Sequence, residues 1–376
     1  MKLAAHGKFY LLSQTNRFVT LVHAKYQLSM YQPTPANNFK IQHTRKRATG
    51  LGPLSVPCRS LEEIINRILC GAADQVLKQL PDESIDSVVT SPPYWALRDY
   101  GVKGQLGLET TVQEYIDRLC NVFDEVQRIL KKSGTCWINI GDTYYSNVDG
   151  GNPTKVNPEV TRQLRSLKNR TSSRELPRKS LCQIPSRLAL EMANRGWILR
   201  NEIIWHKPNS MPSSVKDRFT VDFEKLFFFV KSRHYFFSQQ FEPLHNRDRL
   251  RRPFFKPQSV RKQRYGDKYI SAMNPTTAEA SRLRILKHGR NRRCVWSIGT
   301  RPFAGKHFAA YPPQLIETPI KAGCPKGGIV LDPFMGSGTT ALVARRLGRR
   351  FIGIDLNPAY VQMANDRLKE VRKLAA

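Results

Sequence analysis

Two short runs hold residue types that could do chemistry. Thr90-Ser91-Pro92-Pro93-Tyr94-Trp95 stands in the first third of the chain. Leu331-Asp332-Pro333-Phe334-Met335-Gly336-Ser337-Gly338-Thr339-Thr340 stands near its end. Adjacent prolines fix φ at two successive positions and hold a rigid, extended corner. Such a corner can point its carbonyls one way, and an aromatic directly after it can lie flat on a planar ligand. Acceptors of this kind suit an exocyclic amine on a nucleobase. That amine is a poor nucleophile because its lone pair is delocalised into the ring. Hydrogen bonds to its amino hydrogens favour the sp³-like geometry that attacks. Ser91 Oγ and a proline carbonyl are candidates for that hold, and Tyr94 is a candidate for stacking on a base turned out of its helix. Alone, the run reads equally well as a Pro-Pro turn at a strand end.

The second run supplies context. Ile329-Val330-Leu331-Asp332 is an apolar, β-branched stretch ending in an acid, followed by Gly-Ser-Gly and a helical pattern from Thr339. Glycines let a backbone approach a ligand where side chains would clash. A second stretch, Phe351-Ile352-Gly353-Ile354-Asp355, ends in a carboxylate about 20 residues on, the spacing at which an acid grips ribose hydroxyls. No Walker lysine follows the loop, which disfavours a nucleoside triphosphate. The competing reading of both acids is helix N-capping. Strand, glycine turn, helix and second acid in register favour a nucleoside cofactor.

Elements must carry these runs. Residues 86–90 read as a buried strand that delivers Ser91. Residues 111–132 have helical spacing, with Ser133-Gly134 as the stop, and 135–140 read as the next strand. Leu61, Ile64, Ile65 and Ile68 suggest a short amphipathic helix or lead-in. Residues 184–194 read as a helix, and 198–205 and 225–231 as strands. Strand, helix, strand, helix follow over 328–331, 339–347, 351–355 and 358–373. The alternation predicts an α/β fold with a parallel sheet and crossovers.

Charge narrows the partner. The 376 residues carry a net charge of +31, with a pI of about 10.2. A polyanion explains such an excess, because each Lys or Arg near a phosphate releases counterions. A basic surface kept for solubility is the alternative. Residues 1–60 hold nine Lys or Arg and no acid. They read as a transit peptide, a disordered DNA-binding arm or a start placed too far upstream. Residues 155–179 carry eight Lys or Arg against two Glu, and 245–293 carry fifteen against three acids with aromatics between. The seven cysteines form no C-x-x-C pair, so they read as core residues of a reducing compartment and not as zinc ligands. Apolar runs are strand-sized, so no membrane span is expected.

The two motifs, in this order, resemble those of the beta-class amino DNA methyltransferases. The Ser-Pro-Pro-Tyr form is similar to the cytosine-N4-specific members. Five further stretches, 95–101, 107–109, 139–142, 203–209 and 307–312, look like the same family. The resemblance implies a Rossmann-like sheet of seven strands with helices on both faces and an inserted basic target-recognition region. A catalytic half would span 61–241, with a mobile basic loop at 147–180. Recognition would fall in 242–295 and the cofactor half in 296–376. Ser91, Pro92, Pro93 and Tyr94 would be catalytic. S-adenosylmethionine would be the cofactor, with Asp332, Phe334, Gly336 and Gly338 around its methionine and adenosine parts and Asp355 on the ribose. Thr339 and Thr340 would open the helix near its carboxylate. Arg247, Arg249, Arg251, Arg252, Arg261, Lys262, Arg264, Arg292 and Arg293 would bind DNA.

Partners implied are double-stranded DNA and a cognate restriction endonuclease, with no metal and no membrane. The compartment would be the cytoplasm and nucleoid of a prokaryote or virus-infected cell, or a eukaryotic nucleus or organelle. Adenine N6, a catalytically weak DNA-binding relative and RNA methylation stay open. Cytosine C5 is disfavoured, since the only Pro-Cys is Pro57-Cys58, in the acid-free leader. Two departures stand out. The acid usual directly after Cys-Gly is Ala72 here, with Asp74 nearby, and the usual His-Glu pair reads Phe223-Glu224.

Overall fold

The computed structural model describes residues 60–145, 176–244, 275–300 and 311–375. The leader, most of the 147–180 loop, residues 245–274 and the stretch 301–310 lie outside it. Seven of the expected DNA-binding residues, Arg247 to Arg264, fall there.

Elements in chain order are α1 (Leu61–Ile64), β1 (Arg67–Cys70), α2 (Ala73–Leu77), β2 (Ile85–Thr90), α3 (Val112–Ile129), β3 (Leu130–Ile140), α4 (Ile184–Asn194), β4 (Ile198–His206) and β5 (Phe223–Val230). Then come β6 (Phe241–Glu242), α5 (Pro275–His288), β7 (Arg290–Asn291), β8 (Val295–Ser297), α6 (Pro313–Gly323), β9 (Ile329–Asp332), α7 (Thr339–Arg346), β10 (Arg350–Asp355) and α8 (Pro358–Ala375). One sheet runs β1-β10-β9-β2-β3-β5-β4-β8, and β6 pairs with β7 separately.

The central strands β2 and β9 are buried at every residue because both faces of the sheet are covered there. Successive residues alternate between two cores. Val88, Cys136, Ile138, Phe227, Phe229, Leu331 and Ile352 face the layer built by α2, α3 and α4. Val89, Trp137, Phe228, Val330 and Phe351 face the layer built by α6, α7 and α8. Trp137 and Phe228, paired across β3 and β5, stack in parallel with centroids 4.0 Å apart. This is the period-two geometry of a strand filling both sides at once.

Four expectations change. The sheet has eight strands among the described residues, not seven; the extra edge is β8, which pairs parallel to β4. It is mixed and not wholly parallel, because β5 runs antiparallel to both β3 and β4. Helix α3 stops at Ile129, short of 132. Leu130 turns extended and pairs with Ile85, fully buried. Gly134 therefore lies inside β3; a Cβ there would meet Leu130 Cγ at 2.6 Å, so glycine makes room for that buried leucine. The lead-in around 61–68 also divides, into a single turn α1 and the strand β1 that takes Ile68.

α3 begins with a reciprocal cap. Thr111 Oγ1 accepts from Glu114 N at 3.1 Å, and Glu114 Oε2 accepts from Thr111 N at 3.2 Å. Two otherwise orphaned amides are satisfied. Replacing Thr111 with Ala should lower stability by about 1 kcal/mol. Urea unfolding would register this as an earlier midpoint at unchanged slope; an unchanged midpoint would refute it.

Candidate active site

β2 and β9 are neighbours, with Val88 opposite Leu331. From β2 the chain goes on to β3 on one side, and from β9 to β10 on the other. Between their carboxyl ends lies the switch point where open α/β sheets bind ligands. Both motifs leave the sheet there, Ser91 after β2 and Pro333 after β9.

The proline corner is held from behind. Tyr115 of α3 donates its hydroxyl to Pro93 O at 2.7 Å, and Trp95 Nε1 donates to Glu109 O at 3.1 Å. Ala96 N donates to Gly107 O at 2.8 Å. Gly107 has φ +97°, and a Cβ on it would sit 2.8 Å from Tyr94 O, so both conformation and space demand glycine.

Tyr94 lies against Gly141, where a Cβ would meet its Cε2 at 2.8 Å. Its hydroxyl donates to Glu224 Oε2 at 2.6 Å. Burial, then the Glu224 carboxylate, hold this phenol well above its ordinary range, so Tyr94 stays neutral. Glu224 Oε2 also accepts from Asn139 Nδ2 at 3.1 Å, and Oε1 accepts from Lys207 Nζ. Lys207 Nζ stands 4.5 Å above the Trp205 ring centroid. Asn139, Lys207 and Glu224 come from the ends of β3 and β4 and the start of β5. Antiparallel β5 brings its first residues to the same sheet edge as the last residues of β3 and β4.

The glycine loop is organised around Asp332, which is 1% exposed. Its Oδ1 accepts from Thr90 Oγ1 at 2.6 Å and Phe334 N at 3.0 Å. Its Oδ2 accepts from Thr340 Oγ1 at 2.5 Å and Tyr311 OH at 3.1 Å. Burial raises its pKa to about 6 against the lowering effect of these four donors. Asp355 accepts from Gly336 N at 2.7 Å and Asn357 N at 2.8 Å, and burial raises it too. Arg367 of α8 donates to Ser337 O and Thr339 Oγ1, each at 3.0 Å. Gly338 has φ +79°, and a Cβ there would come 2.9 Å from Ala364 Cβ, so α8 closes tightly on the loop.

A cavity of about 860 Å³ joins the two halves. Ser91, Pro92, Pro93 and Tyr94 line one end, together with Asn139, Trp205, Lys207 and Glu224. Phe334, Gly336, Ser337, Thr339, Asp355 and Tyr360 line the other. Asp332, Gly338 and Thr340 stand behind this wall, where they shape the loop. Asp74, one residue into α2, lines the cavity beside Ala72. Arg293 is spent on Glu242 at 2.7 Å, and Arg292 lies over the Trp296 ring at 4.5 Å. In the sequence, Asn139, Lys207 and Tyr311 stand out only as parts of longer resembling stretches, and Glu224 only as half of the departing Phe223-Glu224 pair. Nothing in their spacing placed them together. Among the described residues no cluster of His, Cys, Asp and Glu could hold a metal ion.

Comparisons with known proteins place the chain among relatives. A family description, DNA methylase (N6_N4_Mtase), matches residues 85–366. The Type II methyltransferase M.XycI of Xanthomonas campestris pv. cyanopsidis is 42% identical over 300 residues, covering 80% of this chain and 86% of that protein. The Type II methyltransferase M.Cfr9I of Citrobacter freundii is 40% identical over 301 residues, with the same shares of 80% and 86%. Among solved structures, PvuII DNA methyltransferase (cytosine-N4-specific) shares the fold, with TM-score 0.51 and 20% identity over 80% of this chain and 85% of that one.

The raised Asp332 pKa has a stability consequence. A carboxyl that binds its proton more tightly when folded adds stability below its unfolded pKa of about 3.9, and that contribution is lost as pH rises through about 6. Asp332→Asn should remove this dependence. The stability of the unsubstituted protein relative to the variant should fall between about pH 4 and pH 6, by on the order of 2 kcal/mol. Urea midpoints at stepped pH measure it, and parallel curves would refute it.

Proposed function

This chain belongs to the DNA methylase family that its residues 85–366 match, and from that premise we propose that it transfers a methyl group from S-adenosylmethionine to the exocyclic N4 of cytosine in double-stranded DNA. One observation carries the reading: a single cavity is walled by the Ser91–Tyr94 corner at one end and by the Phe334–Thr339 turn with Asp355 at the other. Two ligands, one at each end, would meet in its middle.

The cofactor end suits S-adenosylmethionine. Asp355 faces the cavity with each oxygen tied to one backbone amide, which leaves lone pairs to accept from ribose hydroxyls. Phe334 and Tyr360 offer apolar faces for an adenine, and Asp74 stands on the same wall. Thr339 opens α7, whose N-terminal amides favour a carboxylate. When bound, S-adenosylmethionine supplies an electrophilic methyl on a sulfonium.

At the other end, Pro93 O is already taken by Tyr115. The acceptors left for the target amine are Ser91 Oγ and Pro92 O. They hold the amino hydrogens, direct the nitrogen lone pair along the cavity, and keep the amine from turning. Tyr94 stacks on the base, its ring immobilised by Gly141 on one side and Glu224 at its hydroxyl. Positioning of this kind supplies much of the rate in a direct displacement. We read the base as cytosine and not adenine because the motif begins with Ser, the form similar to the cytosine-N4-specific members.

The basic stretch 242–295 reads the DNA, its Lys and Arg holding phosphates while a few side chains meet base edges. The relatives' Type II designations support a cognate restriction endonuclease as partner and a prokaryotic cytoplasm as compartment. No helix among the described residues is long and apolar enough to cross a membrane.

The test is direct. Purified protein, S-adenosylmethionine and mixed-sequence DNA are incubated, and the digested nucleosides are identified by mass. N4-methylcytosine is expected. N6-methyladenine alone would overturn the base assignment, and no methylated nucleoside would overturn the activity. Ser91→Ala should lower kcat about a hundredfold, the scale on which removing one hydrogen-bonding group from the reacting atoms acts. Asp355→Ala should instead weaken cofactor binding about tenfold or more.

A further inference from the structure

We propose that Lys207 is the residue that recognises the target base as cytosine, its Nζ donating to the base's O2 carbonyl. This rests on the cytosine reading above and names the contact that would enforce it. Cytosine and adenine share an amino group and an adjacent ring nitrogen. They part at the next ring position, where cytosine has a carbonyl oxygen and adenine a C–H. A pocket that grips only the amino group cannot separate them. A pocket with a fixed donor one position further can.

Lys207 is such a donor. It lines the same cavity as Ser91, Pro92 and Tyr94. Its side chain is 19% exposed and that of Glu224 15%, so the pair is largely withdrawn from water. The Glu224 carboxylate accepts from Tyr94, Asn139 and Lys207. What the wall offers a base is therefore less the carboxylate than the ammonium it holds. An ammonium has three N–H donors, and Glu224 accounts for one. Lys207 is also fixed in direction, because it follows β4 directly, its backbone amide donates to Asp222 O at 2.7 Å, and its Nζ rides on the Trp205 ring. Tyr94 and Lys207 share Glu224. The ring that stacks on the base and the donor that meets its edge are thus held in one fixed relation. A site built to donate to a carbonyl leaves that donor unpaired when the carbonyl is missing, and discrimination follows.

The experiment uses the full chain and duplexes carrying its methylation site, located by mapping the modified positions in treated DNA. The target position holds cytosine, adenine, or a 2-aminopyridine C-nucleoside. The last keeps the amino group and ring nitrogen and lacks the carbonyl. The unsubstituted enzyme should prefer cytosine over the carbonyl-free analogue about tenfold or more in kcat/KM. Lys207→Met should shrink that preference, and the preference over adenine, to within about threefold, while cofactor binding stays within about twofold. Lys207→Arg should restore most of it. If Lys207→Met lowers rates on all three duplexes equally, the residue is structural and the proposal fails. It fails likewise if the unsubstituted enzyme accepts the analogue as well as cytosine, a measurement that needs no variant. N6-methyladenine as the natural product would sink the underlying reading instead, and it shows in the first digest.

Discussion

A buried carboxylate tied to four donors sets the geometry of everything around it. Asp332 closes β9 and at the same time holds Thr90, the last residue of β2 and a position 242 residues away in sequence. The two turns that wall the cavity leave the sheet next to each other, their strand ends tied through one side chain. Its other oxygen fixes Thr340 and Tyr311, which set the start of α7 and the approach to α6. The group is costly to bury as a charge, and the four donors offset that cost only in part, which is why its affinity for a proton rises.

Much of the architecture was legible in the chain. The strand–glycine–helix–strand pattern at 329–355 has local causes, a β-branched run and a turn that needs positive φ. It appears almost as read. So do α4, β4 and β5. What was not legible depends on partners distant in sequence. Leu130 belongs to a helical pattern by spacing but is drawn into β3 by burial against Ile85. The direction of β5 has no local signature at all, since Leu-Phe-Phe-Phe-Val fits a parallel or an antiparallel neighbour equally well.

The same division holds for the site. Ser91 to Tyr94 and Gly336 to Asp355 were readable because each is contiguous and carries its own stereochemical reason. Asn139 and Glu224 lie on two strands and Lys207 directly after a third, and only strand order and direction bring them to Tyr94. Asp332 shows the opposite case. Its identity was evident from sequence, yet the fold turns it inward to organise the loop, while Asp355 is the acid that meets the cavity. Sequence position separates an acid of structure from an acid of contact poorly, because both sit at strand ends.

The extra edge strand joins the basic stretch before it to the wall of the cavity. β8 follows directly on the basic, helical stretch around α5, and it pairs Val295, Trp296 and Ser297 with Ile204, Trp205 and His206. Trp205 Nε1 donates to Ile298 O at 2.8 Å, and Asn209 holds Thr300 N and O at 2.8 and 2.9 Å. Lys207 lies inside this bracket. The basic stretch before β8 is therefore tied mechanically to the cavity wall that carries Trp205 and Lys207. On the proposed function, strain from a badly seated duplex would have a short covalent and hydrogen-bonded route to Lys207, so proofreading of the long sequence and of the single base would not be independent events.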